Sequence, residues 1–208
     1  MSLSTFARRR ADLLLALSLA ALTPMVASAQ LSTTRGWSFG AQLQGTSLTV
    51  EDGETNSGGG LALRAGYGFN RRVTLFLHVD GTQIDVPAGG DIIGQWNLAH
   101  ADVGARFHFA NSLRRWVPYL EASAGTRVVS VTDASVNGDD IDKIDFNGGA
   151  LTFGGGLSTF FRKTVAVDVS LKWSGGKFTE IDLGNVALRN LDIEATSVRF
   201  GVGLIWWP

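Results

Sequence analysis

Between Gln95 and Phe109 the chain changes chemistry with every residue. Asn97, Ala99, Ala101, Val103, Ala105, Phe107 and Phe109 fall on one side, and Trp96, Leu98, His100, Asp102, Gly104, Arg106 and His108 on the other. A period of two is the period of a β-strand, whose successive side chains point to opposite faces. The same alternation recurs in Gly36–Val50, Gly59–Phe69, Val73–Asp85, Trp116–Thr132, Gly149–Phe161, Val165–Lys177 and Ile193–Trp207. The 26 glycines and 4 prolines suit strands and tight turns better than helices. Eight strands whose connections alternate long and short fit an antiparallel up-and-down meander, and closing it into a barrel removes the two exposed edges. The predicted fold is therefore all-β, an eight-stranded antiparallel up-and-down β-barrel.

The first residues are a separate object. Arg8, Arg9 and Arg10 precede a short apolar run, Leu13–Leu22, and Ala27-Ser28-Ala29 then supplies small residues just before Gln30. This order predicts a secretory signal peptide over 1–29 that is cleaved, leaving 30–208 as one barrel domain. No later stretch is apolar for the ~18 residues that a spanning helix needs. The net charge of −1 offers no basic field for nucleic acid. The absence of cysteine excludes disulfides, thiolate metal sites and a lipidated N-terminal cysteine.

Which face of the sheet is wet decides the rest. In an up-and-down barrel, odd strands begin and even strands end at the same rim. On the apolar face that rim collects Trp37, Phe39, Tyr67, Phe69, Phe107, Phe109, Trp116, Phe161 and Trp206, with Trp173 the best candidate toward the other rim. Aromatics gathered at one level are what a bilayer interface selects. The opposite face holds Gly66, Gly68, Gly104, Gly154, Gly156, Gly201 and Gly203, as expected for the narrow interior of an eight-stranded barrel rather than a solvated sheet. That face also carries Arg64, Arg106, Arg127, Lys172 and Arg199 against Asp80, Asp102, Glu121 and Asp168, together with His78, His100 and His108. Opposite charges in near balance can pair inside a lumen where an unpaired one is costly. The reading is a transmembrane barrel with lipid on the apolar face; the strands, 11 to 17 residues long, exceed the ~9–11 needed to cross. The alternative is a periplasmic, lipocalin-like ligand-binding barrel with the apolar face inward.

Along its whole exported length, from Gly36-Trp37-Ser38-Phe39-Gly40 through Leu63-Arg64-Ala65-Gly66-Tyr67-Gly68-Phe69 and Pro118-Tyr119-Leu120-Glu121 to the last strand, the chain resembles the small eight-stranded outer-membrane β-barrels of the OmpA/OmpX-like type. The resemblance implies a location in the cell outer membrane, short turns toward the periplasm and long loops outside. It also implies partners: outer-membrane lipid and lipopolysaccharide, and the barrel-assembly machinery during insertion. Members usually end on a phenylalanine, whereas this sequence ends Trp206-Trp207-Pro208, a departure in the assembly signal rather than in the fold.

Three groups of residues bear on chemistry beyond a filled lumen. His78-x-Asp80 and His100-x-Asp102 fit a metal or proton-relay site, but a buried polar network accounts for them more simply. Asp139, Asp140, Asp142 and Asp145 form an oxygen-rich cluster, yet the spacing matches no EF-hand loop and Lys143 interrupts it. A lipid-modifying outer-membrane enzyme needs a serine beside a histidine and an acid. All three histidines are expected to face inward, so the expectation is a non-enzymatic monomer without cofactor or metal. Its lumen network comprises Arg64, His78, Asp80, His100, Asp102, Arg106, Glu121, Arg127, Asp168, Lys172 and Arg199. Asp133–Gly148, read as a loop, and Gly176–Asp192 would serve envelope integrity, adhesion or surface interaction.

Overall fold

The computed structural model describes residues 34–51, 53, 55–85, 92–109, 115–136, 139–182 and 187–208. The predicted leader, 1–29, lies outside the described residues. Eight strands follow one another: β1 (Gly36–Val50), β2 (Thr55–Gly68), β3 (Val73–Asp85), β4 (Ile92–His108), β5 (Trp116–Val136), β6 (Asp139–Arg162), β7 (Val165–Asp182) and β8 (Ala187–Trp206). Each pairs antiparallel with the next, and β8 returns to β1 from Phe39↔Trp206 to Val50↔Ala195, closing the ring. Neighbouring strands are thus hydrogen-bonded all round the ring, the condition for crossing hydrocarbon, with register shifts at Ile93/Gln95, Asn147/Gly148, Phe160/Arg162 and Phe178/Glu180.

Alternation sets the two faces. Outside stand Leu43, Leu63, Leu77, Val103, Leu120, Leu151, Leu171 and Val202, all exposed, with Leu43 at 70%. Inside, glycine makes room. A Cβ on Gly156 would lie 2.1 Å from the Val169 carbonyl oxygen and 2.5 Å from the Tyr119 hydroxyl. On the outward Gly81 it would meet nothing within 4 Å. Inward glycines therefore permit close packing that a larger residue would block.

The interior is layered. An apolar cluster of Val117, Phe160, Ala166, Ile205 and Trp207 fills the end carrying the short turns. A second cluster, Leu48, Ile84, Leu98, Val129, Phe178 and Ala195, with Trp96, Phe146 and Ile193 packed on it, occupies the other end. The charged side chains lie between. The expectation of a polar lumen is therefore corrected at both ends, because the inward positions beyond the central charges are aliphatic or aromatic.

The strands also run further than the alternation indicated. β2 begins at Thr55 rather than Gly59 and β4 at Ile92 rather than Gln95. Asp133–Gly148 is not a loop: β5 and β6 stay paired out to Val136↔Asp139, so only 137–138 connect them. Likewise β7 and β8 pair out to Asp182↔Ala187 within the Gly176–Asp192 stretch. From Val128 to Val136, β5 continues for about 26 Å along the strand. Two β-hairpin arms thus extend from the rim opposite the short turns.

Candidate functional site

Every strand sends polar side chains into the central layer, where three carboxylates act as hubs. Asp168 on β7 accepts from Ser158 Oγ (2.6 Å), Gln42 Nε2 (2.7 Å), Tyr119 Oη (2.8 Å) and Arg106 Nη1 (3.2 Å). Glu121 on β5 accepts from Arg106 Nε at 2.9 Å and from both terminal nitrogens of Arg64 at 3.0 Å, with Lys172 Nζ 3.7 Å away. Asp80 on β3 holds Gln44 Nε2 (3.0 Å), His100 Nδ1 (3.1 Å), His78 Nε2 (3.2 Å) and the Arg199 guanidinium. Arg106 joins the first two hubs, and Lys172 Nζ, 3.1 Å from His78 Nε2, joins the second to the third. Arg199 then reaches Thr152, Ser174 and, at 3.5 Å, Asp102.

Each carboxylate hub faces more than one cation or several donors, which is what keeps a buried charge tolerable. Two guanidiniums also lie over rings: Arg64 Cζ is 3.7 Å from the Phe76 centroid and Arg106 Cζ is 3.4 Å from that of Tyr119. Stacking supplies attraction across the planar face that in-plane hydrogen bonds leave open.

The structure places all eleven of the expected network residues inside and brings ten of them into one connected chain. The exception is Arg127, fully buried at 0% exposure. It donates Nη2 to the Ala195 carbonyl oxygen (2.9 Å) and sits 4.8 Å from the Phe178 ring, while its Nε and Nη1 meet no protein acceptor. It borders the apolar cluster instead of pairing with an acid. The two His-x-Asp pairs are also re-sorted. Both histidines converge on Asp80, because His100 stands directly opposite it in the β3–β4 register, and Asp102 is left to Arg199. His108 contacts Thr74 Oγ1 at 3.2 Å. The neutral members Gln42, Gln44, Tyr119, Ser158, Thr152 and Ser174 were not singled out from sequence. Their inward parity was the available signal, but polar uncharged residues carry no mark of which hub they serve.

On the outside, Trp37, Phe39, Tyr67, Phe69, Phe107, Phe109, Trp116, Phe161 and Trp206 are all exposed near the rim of the short turns. Neighbours touch edge to face: Trp37–Tyr67 at 5.4 Å, Tyr67–Phe69 at 5.3 Å and Phe107–Phe109 at 5.3 Å between centroids. An apolar wall outside and paired charges inside is the reverse of a soluble ligand-binding barrel, so the lipocalin-like alternative is set aside.

The family model described as "Outer membrane protein beta-barrel domain" matches residues 13–205. The chain belongs to this family. It is an outer-membrane β-barrel, located in the outer membrane of a Gram-negative envelope.

Solved structures repeat the architecture at low identity. Neisserial surface protein A is 17% identical with a TM-score of 0.61, covering 82% of this chain and 96% of its own. Ail, the attachment invasion locus protein of Yersinia pestis, is 16% identical with a TM-score of 0.54, covering 83% and 100%. OprG from Pseudomonas aeruginosa is 12% identical with a TM-score of 0.51, covering 85% and 97%. Ail is also known in complex with the heparin analogue sucrose octasulfate. No curated protein matches the sequence.

The arms of this outer-membrane barrel carry charge of one predominant sign. Glu51, Asp145, Glu180, Asp182, Asp192 and Glu194 lie on them or on the adjoining rim. Lys143 pairs with Asp145 at 2.7 Å, Arg189 with Glu180 at 3.1 Å, and Lys177 with both Asp192 (2.6 Å) and Glu194 (3.3 Å). Among the described residues, no group of three or more histidine or acidic side chains is placed to hold a metal ion. Asp139 and Asp140 pair in the β5–β6 ladder; the side chains of Asp139, Asp140 and Asp142, the rest of the acidic cluster, lie outside what the structure describes.

Proposed function

We propose that the protein is a non-enzymatic, monomeric outer-membrane barrel whose lumen is plugged and whose work is done by its two hairpin arms, in envelope integrity, adhesion or surface interaction. The observation that carries this reading is the continuous network from Asp168 through Arg106, Glu121, Lys172, His78, Asp80 and Arg199 to Asp102, drawn from strands all round the ring and capped by an apolar cluster at each end. A solute would have to break paired charges and cross two apolar layers, so passage through the ring is closed. The exposed aromatics at the short-turn rim act as the interfacial girdle in contact with membrane lipid. Lipopolysaccharide on the outer leaflet and the barrel-assembly machinery during insertion are the further partners.

The arrangement of the histidines supports the non-enzymatic reading. His78, His100 and His108 are all buried in the lumen, and the hydroxyl beside His108 belongs to Thr74 without an acid to complete a relay. The arms favour partners that are cationic or bridged by cations. Their excess carboxylate repels a sulfated polyanion such as the one held by Ail.

Two measurements test this. Reconstituted in planar bilayers, the protein gives no unitary conductance, and regular stepwise openings would overturn the plug. In cells, shortening the β5–β6 arm by removing 133–142 lowers surface attachment while leaving outer-membrane abundance unchanged. Attachment and envelope permeability that match wild type would overturn the assignment of function to the arms.

A further inference from the structure

Charge on this barrel separates along its axis. The short-turn rim carries Arg35, Arg71, Arg72, Arg115, Arg162 and Lys163, and no acidic residue among the described residues there. The arms at the other rim carry the carboxylates. Around the β2–β3 turn the cations are more than a general field. Arg35, Arg71 and Arg72 border a cavity of about 680 Å³ whose walls include Phe69 and Phe107. Asn70 fixes the turn, its Oδ1 accepting from the backbone N–H of Arg72 (2.7 Å) and of Val73 (2.9 Å), and the Thr34 hydroxyl donates to the Arg71 carbonyl oxygen (2.8 Å). The backbone that presents both arginines is held, while their side chains stay exposed.

The same two strands lead to a second hollow. On the outer wall, Ala41, Leu61, Val79, Gly81, Val202 and Leu204 line an apolar groove of about 640 Å³. Small side chains make it: a Cβ at Gly81 would find nothing within 4 Å. Between the hollows, β3 presents Leu75 and Leu77 outward, both exposed. From Val73, beside the basic cavity, to Val79, in the groove, is about 20 Å along the strand. At a tilt near 40° that is about 15 Å of depth, half the ~30 Å hydrocarbon core. A phosphate at the arginines would thus sit at headgroup level, with the groove where a chain from that leaflet ends.

We infer that the β2–β3 turn and the groove above it together form a site for one anionic phospholipid of the leaflet at the short-turn rim. Arg71 and Arg72 take its phosphate, with Arg35 adding charge, and an acyl chain follows Leu75 and Leu77 into the hollow at Gly81. Arginine suits the first part because its guanidinium fork matches phosphate oxygens. The groove suits the second because it accepts a chain that a flat wall would leave mobile. The site rests on the membrane orientation given above and adds to it a lipid class and an address.

The test is lipid retention. Wild type is refolded into vesicles of mixed phosphatidylglycerol and phosphatidylcholine, extracted into mild detergent and examined by native mass spectrometry. Heat-modifiable gel mobility is measured in parallel as the sign of an inserted barrel. Wild type is expected to retain one phosphatidylglycerol in preference to phosphatidylcholine. The R71E/R72E variant should lose that retention by at least about tenfold, given the attraction each basic residue contributes at an anionic surface. The R162E/K163E variant, altered elsewhere on the same rim, should keep it. Gly81→Leu should weaken retention of long-chain but not short-chain phosphatidylglycerol. Equal retention by R71E/R72E, equal retention of phosphatidylcholine, or displacement of the lipid by inorganic phosphate would overturn the site. A wild-type protein that shows no heat-modifiable insertion would instead overturn the membrane reading on which the site rests.

Discussion

Glu121 is where the lumen network is most exposed to a single change. Its carboxylate meets Arg64 through two hydrogen bonds of 3.0 Å, Arg106 through one of 2.9 Å, and Lys172 at 3.7 Å. Arg106 keeps Asp168 if Glu121 is lost, but Arg64 has no other hydrogen-bonded acid among the described residues and Lys172 is left facing His78. Glu121→Leu should therefore cost about 3–5 kcal/mol, the usual penalty for stranding one partner of a buried ion pair. Glu121→Gln should cost less, because one oxygen still accepts. Adding Arg64→Met removes the stranded guanidinium while keeping the stem over Phe76, so the double variant should cost at least ~1 kcal/mol less than the two single losses summed. The measurement is urea-dependent unfolding from lipid vesicles, followed by tryptophan fluorescence and heat-modifiable mobility. If Glu121→Leu costs less than ~1 kcal/mol, or if the two changes simply add, the carboxylate is not the hub that its geometry indicates.

Other expectations follow from the faces and from the arms. Val202→Arg, on the lipid side near mid-strand, should cost ~2–4 kcal/mol in vesicle unfolding. The neighbouring Gly201→Arg should block folding, since a Cβ there already lies 2.8 Å from Gln42 Oε1 and 2.9 Å from Ser170 Oγ. If both fold as wild type does, the faces are misassigned. Gly156→Ala should reduce the folded fraction in a heat-modifiability assay, because of the approach to the Val169 carbonyl, whereas Gly81→Ala should leave it unchanged. Removing 133–142 takes away the hairpin tip and the pairings of Ser135 and Val136 with Ile93 and Ile92 of β4, so the unfolding midpoint should fall only modestly while the barrel still forms; a collapse in folding yield would show that the arm is part of the barrel's own stability.

Much of this architecture is legible in the sequence because the bilayer and the narrow lumen impose opposite demands on alternate residues. Leu61, Leu63 and Ala65 against Ala62, Arg64 and Gly66 announce both the strand and its sides. Above the membrane that contrast ends. Asp133–Gly148 mixes acids, serine and glycine on both faces, so its strand character disappears from the alternation even though Asn137-Gly138 is a favoured hairpin turn. The partners within the lumen are hidden for another reason. They depend on the register between strands and on the reach of long side chains, which is why His100 finds Asp80 across the sheet and Asp102 falls to Arg199. The apolar ends of the lumen are equally silent, since Leu98 and Trp96 share the parity of His100 and nothing local says where along the axis the charges stop.

The stacking of apolar, charged and apolar layers inside the ring bears on how long the folded state lasts. With the lumen plugged as proposed, water and denaturant would reach the central pairs only after Trp207 and Phe160 part at one end, or Leu98, Val129 and Phe178 at the other. On that reading, the transition state for opening would have those side chains separated while the charges had lost neighbours without yet gaining hydration. Such a barrier slows unfolding more than it deepens the equilibrium. The barrel should thus persist by its slow rate of coming apart, and truncating Trp207 or Phe178 should shorten its lifetime in denaturant before it greatly moves the midpoint.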